Sequence, residues 1–304
     1  MPIRRGGLWP RSAAGLLEGQ VVLPTQGKYL TKGRKNKRRM ASVRLAGMAL
    51  DLAFETTGSG TPLVVLHGLF GSATNWRSVA RALASTHQVH ALDLRNHGAS
   101  PWAESMGYPE MAEDVLRFIE GHALKRPAVM GHSMGGKTAM ALALANPDLV
   151  GRLIVVDIAP VSYADKLSPY AQAMRSVDLL AAASRTEVQR QLQALLPDAS
   201  VAPFLVQNLV RRDEHFDWRI NLAAIAASMA TLGDFPAEMR RLRYTRPTSA
   251  ITGALSNYVP NGDASAFAPM FPAIEVDVIA GAGHWVHADQ PARFVEAVRR
   301  ALAR

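Results

Sequence analysis

An α/β fold, a mostly parallel central sheet flanked by helices, is what this sequence predicts. Three observations carry the prediction. Short apolar runs alternate with helical patterns from Ala41 onward, and several of those runs are almost unbroken in Val, Ile and Leu. A serine, Ser133, also sits in a glycine-framed turn between one such run and a helical segment. Continuous apolar runs mark strands covered on both faces, and alternation with helices marks βαβ units.

The chain opens on a basic extension. Of 304 residues, 34 are Lys or Arg and 25 are Asp or Glu, a net charge of +9. Residues 1–39 hold ten of those cations against Glu18 alone, so the rest balances at 24 of each sign. The extension ends in KGRKNKRR, lacks periodic apolar residues and is expected to be disordered. It has no apolar segment of signal-peptide type. The preferred reading takes Met40 as the start of a cytoplasmic protein, with a mitochondrial transit peptide as the alternative. The basic run has no interleaved aromatic residues, so no nucleic-acid partner is expected.

Residues 40–304 then form one catalytic-size domain. Strands are predicted at Ala49–Phe54, Leu63–His67, Val89–Asp93, Ala128–Gly131, Leu153–Asp157, Ser249–Gly253 and Ile274–Ala280. One amphipathic helix carries Met111, Val115 and Ile119 at a spacing of four; the last carries Phe294, Val298, Ala301 and Leu302 behind the opening DQP. From about Val161 to Arg243 no strand is expected. That stretch reads as a helical lid over the carboxyl ends of the strands, the edge where open α/β sheets bind ligands.

Composition removes several chemistries. There is no cysteine, hence no disulfide, thiolate–zinc site or cysteine nucleophile. No apolar run has the roughly 18 residues of a membrane span. No helical segment shows a two-histidine metal spacing, so neither metal nor cofactor is expected.

The glycine-framed serine is the candidate nucleophile. GHSMG, Gly131 to Gly135, matches G-x-S-x-G in the strand–turn–helix setting of a nucleophile elbow, which projects the serine clear of the sheet. A serine hydroxyl needs a base. His284, in the glycine-rich loop after the last strand, is the best placed of nine histidines, while His287 reads as a structural donor. An oxyanion hole needs two backbone N–H groups. Met134 supplies one, and Leu69 in HGLFGS, or else Phe70, supplies the other; His67 holds that loop. The acid is less conventional. Enzymes of this architecture mostly carry it after the penultimate strand, but ALSNYVPNG has no carboxylate before Asp263. Asp157, ending RLIVVD on the sheet's carboxyl edge, is therefore the candidate.

The stretches LHGLFGSATNW, DLRNHGAS, GHSMGGKTAM, VVDIAPVSY and AGAGHWVHADQP resemble the α/β-hydrolase superfamily, and within it the bacterial esterases and their mitochondrial abhydrolase-11-type relatives. The resemblance spans Ala41 to the end and leaves the extension uncovered. It implies an α/β-hydrolase fold with Asp157 as the acid, and a further serine, Ser256, near the histidine. It also implies hydrolysis of carboxylic esters, thioesters included, of short to medium acyl chains, with a small-molecule ester as partner. Phe204, Phe216, Trp218 and Met229 of the lid are candidates for an acyl pocket and equally for core. The alternatives are a carbon–carbon hydrolase or a perhydrolase on the same fold, or a non-catalytic binding role. Oligomeric state is not legible.

Overall fold

The computed structural model describes residues 49–304, with the side chain of Asn261 excepted. The basic extension, 1–39, and Met40 lie outside the described residues. Seven strands form the main sheet: β1 (Phe54–Thr57), β2 (Thr61–Leu66), β3 (His87–Leu92), β4 (Ala128–His132), β5 (Arg152–Val156), β8 (Thr248–Gly253) and β9 (Ile274–Ile279). Their order is β1-β3-β2-β4-β5-β8-β9, and only β1 runs antiparallel to its neighbour. Two further strands, β6 (Leu209–Arg212) and β7 (His215–Trp218), pair as a separate hairpin.

Alternate residues of the same strands feed two cores. Val64, Leu66, Val129, Leu153 and Val155 face one, while Leu63, Val65, Met130, Ile154 and Val156 face the other. Each such side chain contributes about 1.5–3 kcal/mol by leaving water. Helices close both faces. They include α1 (Arg77–Leu83), α2 (Tyr108–Gly121) and α3 (Met134–Ala145), and, after β9, α9 (Val286–Asp289) and α10 (Pro291–Ala303). The expected faces hold: Met111, Val115 and Ile119 of α2 and Phe294, Val298 and Ala301 of α10 are buried. Among the described residues no helix is long and apolar enough to cross a membrane.

Two expectations need correction. The first strand begins at Phe54, where it was expected to end. The preceding residues spend backbone N–H groups on side chains instead of a ladder: Leu50 N–H on Asp114 Oδ1 at 2.7 Å, Ala53 N–H on Ser100 Oγ at 2.8 Å. The second lies in the stretch 161–243. Helices α4 (Ser168–Ser176), α5 (Arg185–Leu195), α6 (Ala202–Val206), α7 (Leu222–Ala227) and α8 (Met229–Gly233) are present, but so is the β6–β7 hairpin. Its strands are four residues long and its turn has no Asn-Gly or Asp-Gly. Asp213 takes the left-handed turn position at φ 51°, which the pattern RRDEH does not advertise.

Candidate active site

Every sequence-predicted site residue stands just past the carboxyl end of a strand. Ser133 follows β4, Asp157 follows β5, Ser256 follows β8, His284 follows β9, and Leu69 follows β2. Ser133 occupies φ 52°, ψ −117° with its N–H donated to Val156 O at 3.0 Å. Holding a non-glycine residue there costs about 1–3 kcal/mol and fits a strained elbow. The flanking glycines allow it: a Cβ on Gly131 would lie 2.1 Å from Gly135 O, and one on Gly135 2.5 Å from His67 O.

Asp157 also sits at positive φ, 51°, and is fully buried. Burial of a carboxylate demands donors, and three are present. Oδ1 accepts the Gly253 N–H at 3.0 Å; Oδ2 accepts the Ser256 hydroxyl at 2.5 Å and His284 Nδ1 at 2.7 Å. A histidine that donates from Nδ1 to a carboxylate keeps the lone pair of Nε2 for a proton. Ser256 thus bonds the same carboxylate oxygen as His284, a place near the histidine. The imidazole of His284 is stacked on Tyr258, ring centres 4.1 Å apart, and its backbone C=O accepts from His132 Nε2 at 2.9 Å.

Asp263 is elsewhere. It is exposed, and its carboxylate accepts the N–H and hydroxyl of Ser265, both at 2.8 Å, which hold its pKa below the usual carboxylate range.

The loop after β2 is fixed by two buried imidazoles. His67 donates from Nδ1 to Gly68 O at 2.8 Å and accepts the Leu94 N–H at Nε2, 3.0 Å. His97 donates from Nδ1 to Arg95 O at 3.0 Å and accepts the Phe70 N–H at Nε2, 3.2 Å. Burial pushes both down, to about 4 and about 3, so both stay neutral. With the Phe70 N–H committed to His97, Leu69 is the one of the two left to face a ligand. Among the described residues, the N–H groups of Leu69 and Met134 are donated to no backbone or side-chain acceptor.

Two cavities meet at Ser133. One, of about 410 Å³, is lined by Ser133, Leu69, His284, Trp285, Phe204 and Tyr170. The other, of about 40 Å³, is lined by Ser133, Met134, Tyr108, Lys137, Met229 and Leu232. Phe204 and Met229 therefore line cavities, whereas Phe216 and Trp218 are core, with Trp218 Nε1 donating to Met174 O at 3.1 Å. His287 is not a donor through Nδ1, which has no partner among the described residues; its ring packs 4.7 Å from that of Trp76.

Sequence reasoning missed Tyr258, His132 and Lys137. Lys137 lies one turn beyond Ser133 on α3, buried, with Nζ donating to Gly233 O at 3.0 Å and Asp234 O at 2.8 Å and burial pushing it down to about 8. A lysine inside an otherwise apolar helix was the available signal.

A serine that lines one cavity with a carboxylate-held imidazole, with spare backbone donors at the same cavities, is the equipment of a base-activated nucleophile. Comparisons agree. The chain is 37% identical over 280 residues to the sn-1-specific diacylglycerol lipase ABHD11 of Xenopus tropicalis, covering 90% of this chain and 87% of that one. It is 33% identical over 262 residues to esterase YbfF of Escherichia coli K12, covering 84% and 99%. The solved structure of a marine microorganism esterase superposes with a TM-score of 0.79 at 36% identity, covering 83% and 99%. Residues 61–291 match the family model of the alpha/beta hydrolase fold, and with these relatives that match makes the chain a member of the alpha/beta hydrolases.

Proposed function

We propose that the protein is a serine carboxylic-ester hydrolase that works through an acyl-enzyme on Ser133. The observation that carries this is the 2.7 Å bond from His284 Nδ1 to a fully buried Asp157, behind an elbow-held serine. Ser133 Oγ attacks the ester carbonyl as its proton passes to His284 Nε2. Leu69 and Met134 N–H groups hold the oxygen that becomes negative. Asp157 stabilises the imidazolium, which then protonates the departing alcohol. Water, activated by the same imidazole, releases the acid and restores Ser133.

The two cavities divide the substrate. The leaving oxygen must reach the proton on His284, which lines the larger cavity and not the smaller. The alcohol portion therefore belongs in the 410 Å³ space and the acyl portion in the 40 Å³ space. Short acyl chains on bulky alcohols or thiols fit this division.

A ladder of aryl esters from acetyl to dodecanoyl tests both statements. Hydrolysis should peak at the short end and vanish in Ser133→Ala, and an organophosphonate should label Ser133 stoichiometrically. Turnover in Ser133→Ala near that of the wild type overturns the mechanism, and a peak at long chains overturns the division.

A further inference from the structure

The loop that carries Leu69 is gripped by a residue the hydrolytic scheme does not use. Phe70 is buried at φ 61°, a conformation a bulky residue keeps only when its surroundings impose it. Both of its backbone polar groups are held. Its N–H is donated to His97 Nε2, and its C=O accepts from Asn208 Nδ2 at 2.8 Å. His97 belongs to the turn after β3. Asn208 belongs to the insertion, between α6 and β6.

Asn208 is itself immobilised. It is 1% exposed, its N–H is donated to Leu205 O at 3.0 Å, and its C=O accepts the Arg219 N–H at 2.8 Å. Nδ2 also reaches Leu205 O at 3.3 Å. Neighbouring bonds dock the same part of the insertion on the same loops. Asn75 Nδ2 donates to Gln207 Oε1 at 3.2 Å, and the Asn221 N–H donates to Asn96 O at 2.9 Å.

We propose that Asn208 is a positioning residue for the oxyanion hole, through which the insertion sets the direction of the Leu69 N–H. The inference rests on the ester-hydrolase reading above. His97 fixes the peptide plane between Leu69 and Phe70, and Asn208 fixes the plane between Phe70 and Gly71. With both planes fixed, Phe70 cannot relax to an ordinary backbone conformation. Without Asn208 it can, and the relaxation rotates the chain at Leu69 and turns its N–H away from the reacting oxygen. The hole is then complete only while the insertion is docked.

Asn208→Ala and the isosteric Asn208→Asp, which faces the Phe70 carbonyl with an acceptor, test this on the full chain. The readouts are kcat and KM on an aryl acetate, thermal melting, and inhibition by an aryl trifluoromethyl ketone, which forms a tetrahedral adduct on Ser133. Loss of a direct oxyanion donor costs about 10²–10³-fold in kcat; loss of its positioning should cost about ten- to a hundredfold. KM should move less than about threefold, and ketone affinity should fall in step with kcat/KM. Phe70→Gly in the Asn208→Ala background should restore part of kcat, because glycine occupies φ 61° unaided. A folded Asn208→Ala with kcat within about twofold of wild type, or a kcat loss with unchanged ketone affinity, overturns the proposal. If the alanine variant does not fold, the same criteria apply to Asn208→Asp. A wild-type protein inert to both ester and ketone overturns the ester-hydrolase reading instead.

Discussion

The chain leaves β5 at Asp157 and leaves β8 into a loop whose first carboxylate is Asp263. Asp157 is dry, held at a left-handed backbone position, and receives three hydrogen bonds from two other segments: Gly253 N–H and Ser256 hydroxyl at the β8 exit, and the His284 ring after β9. Asp263 lies in solvent, and among the described residues its carboxylate bonds to Ser265, two residues on, within its own turn. A carboxylate supports an imidazole across a low-dielectric gap when other donors offset the cost of burying it. One that spends its oxygens locally in water has little to offer at a distance. The β8 exit nonetheless contributes to the acid, because Ser256 and Gly253 occupy both of its oxygens.

Asp157→Asn should produce the largest effect on this contrast. An amide in place of the carboxylate leaves the imidazolium without a counter-charge and permits the wrong tautomer, which in serine proteases costs about 10⁴-fold in kcat. A loss of at least about a hundredfold is expected, with melting temperature little changed; steady-state kinetics on an aryl acetate measure it. A smaller loss would mean that Asp157 is no more than a structural cap.

Moving the acid across the gap comes next. Ser256 Oγ is 2.5 Å from the carboxylate oxygen that His284 uses. Ser256→Asp in the Asp157→Asn background should therefore recover about tenfold or more of the lost kcat. No recovery would show that the β8 exit cannot substitute for the β5 exit. Ser256→Ala alone should cost about three- to tenfold, since it removes one charge-assisted hydrogen bond and no charge. Its effect should appear in kcat, with KM little changed. The smallest effect belongs to Asp263→Asn, under about threefold in kcat; anything larger would link its turn to the site.

Much of this was readable one residue after another. Unbroken Val and Ile runs announced the buried parallel strands, because both faces of a parallel strand are dry. GHSMG announced the elbow, because only glycine tolerates the 2.1 Å and 2.5 Å approaches at Gly131 and Gly135. The β6–β7 hairpin stayed hidden because two four-residue strands carry too little pattern. Asn208 was equally silent, since nothing around it in FLVQNLV marks a partner 138 residues away.

Chain order and local pattern alone determined the α/β architecture, the serine, the loop histidine and the absence of an alternative carboxylate before Asp263. These depend on short-range geometry: the period of a strand, the fit of a tight turn, the position of a loop after its strand. Only the tertiary structure decided that Ser256 serves the carboxylate and not the imidazole, that Phe70 gives its N–H to His97 and leaves Leu69 free, and that the insertion reaches into the oxyanion loop. Each of those outcomes is a single hydrogen bond between segments from 27 to 138 residues apart. Such bonds are set by how the sheet twists and the insertion docks, and no local pattern encodes which donor arrives first at an acceptor.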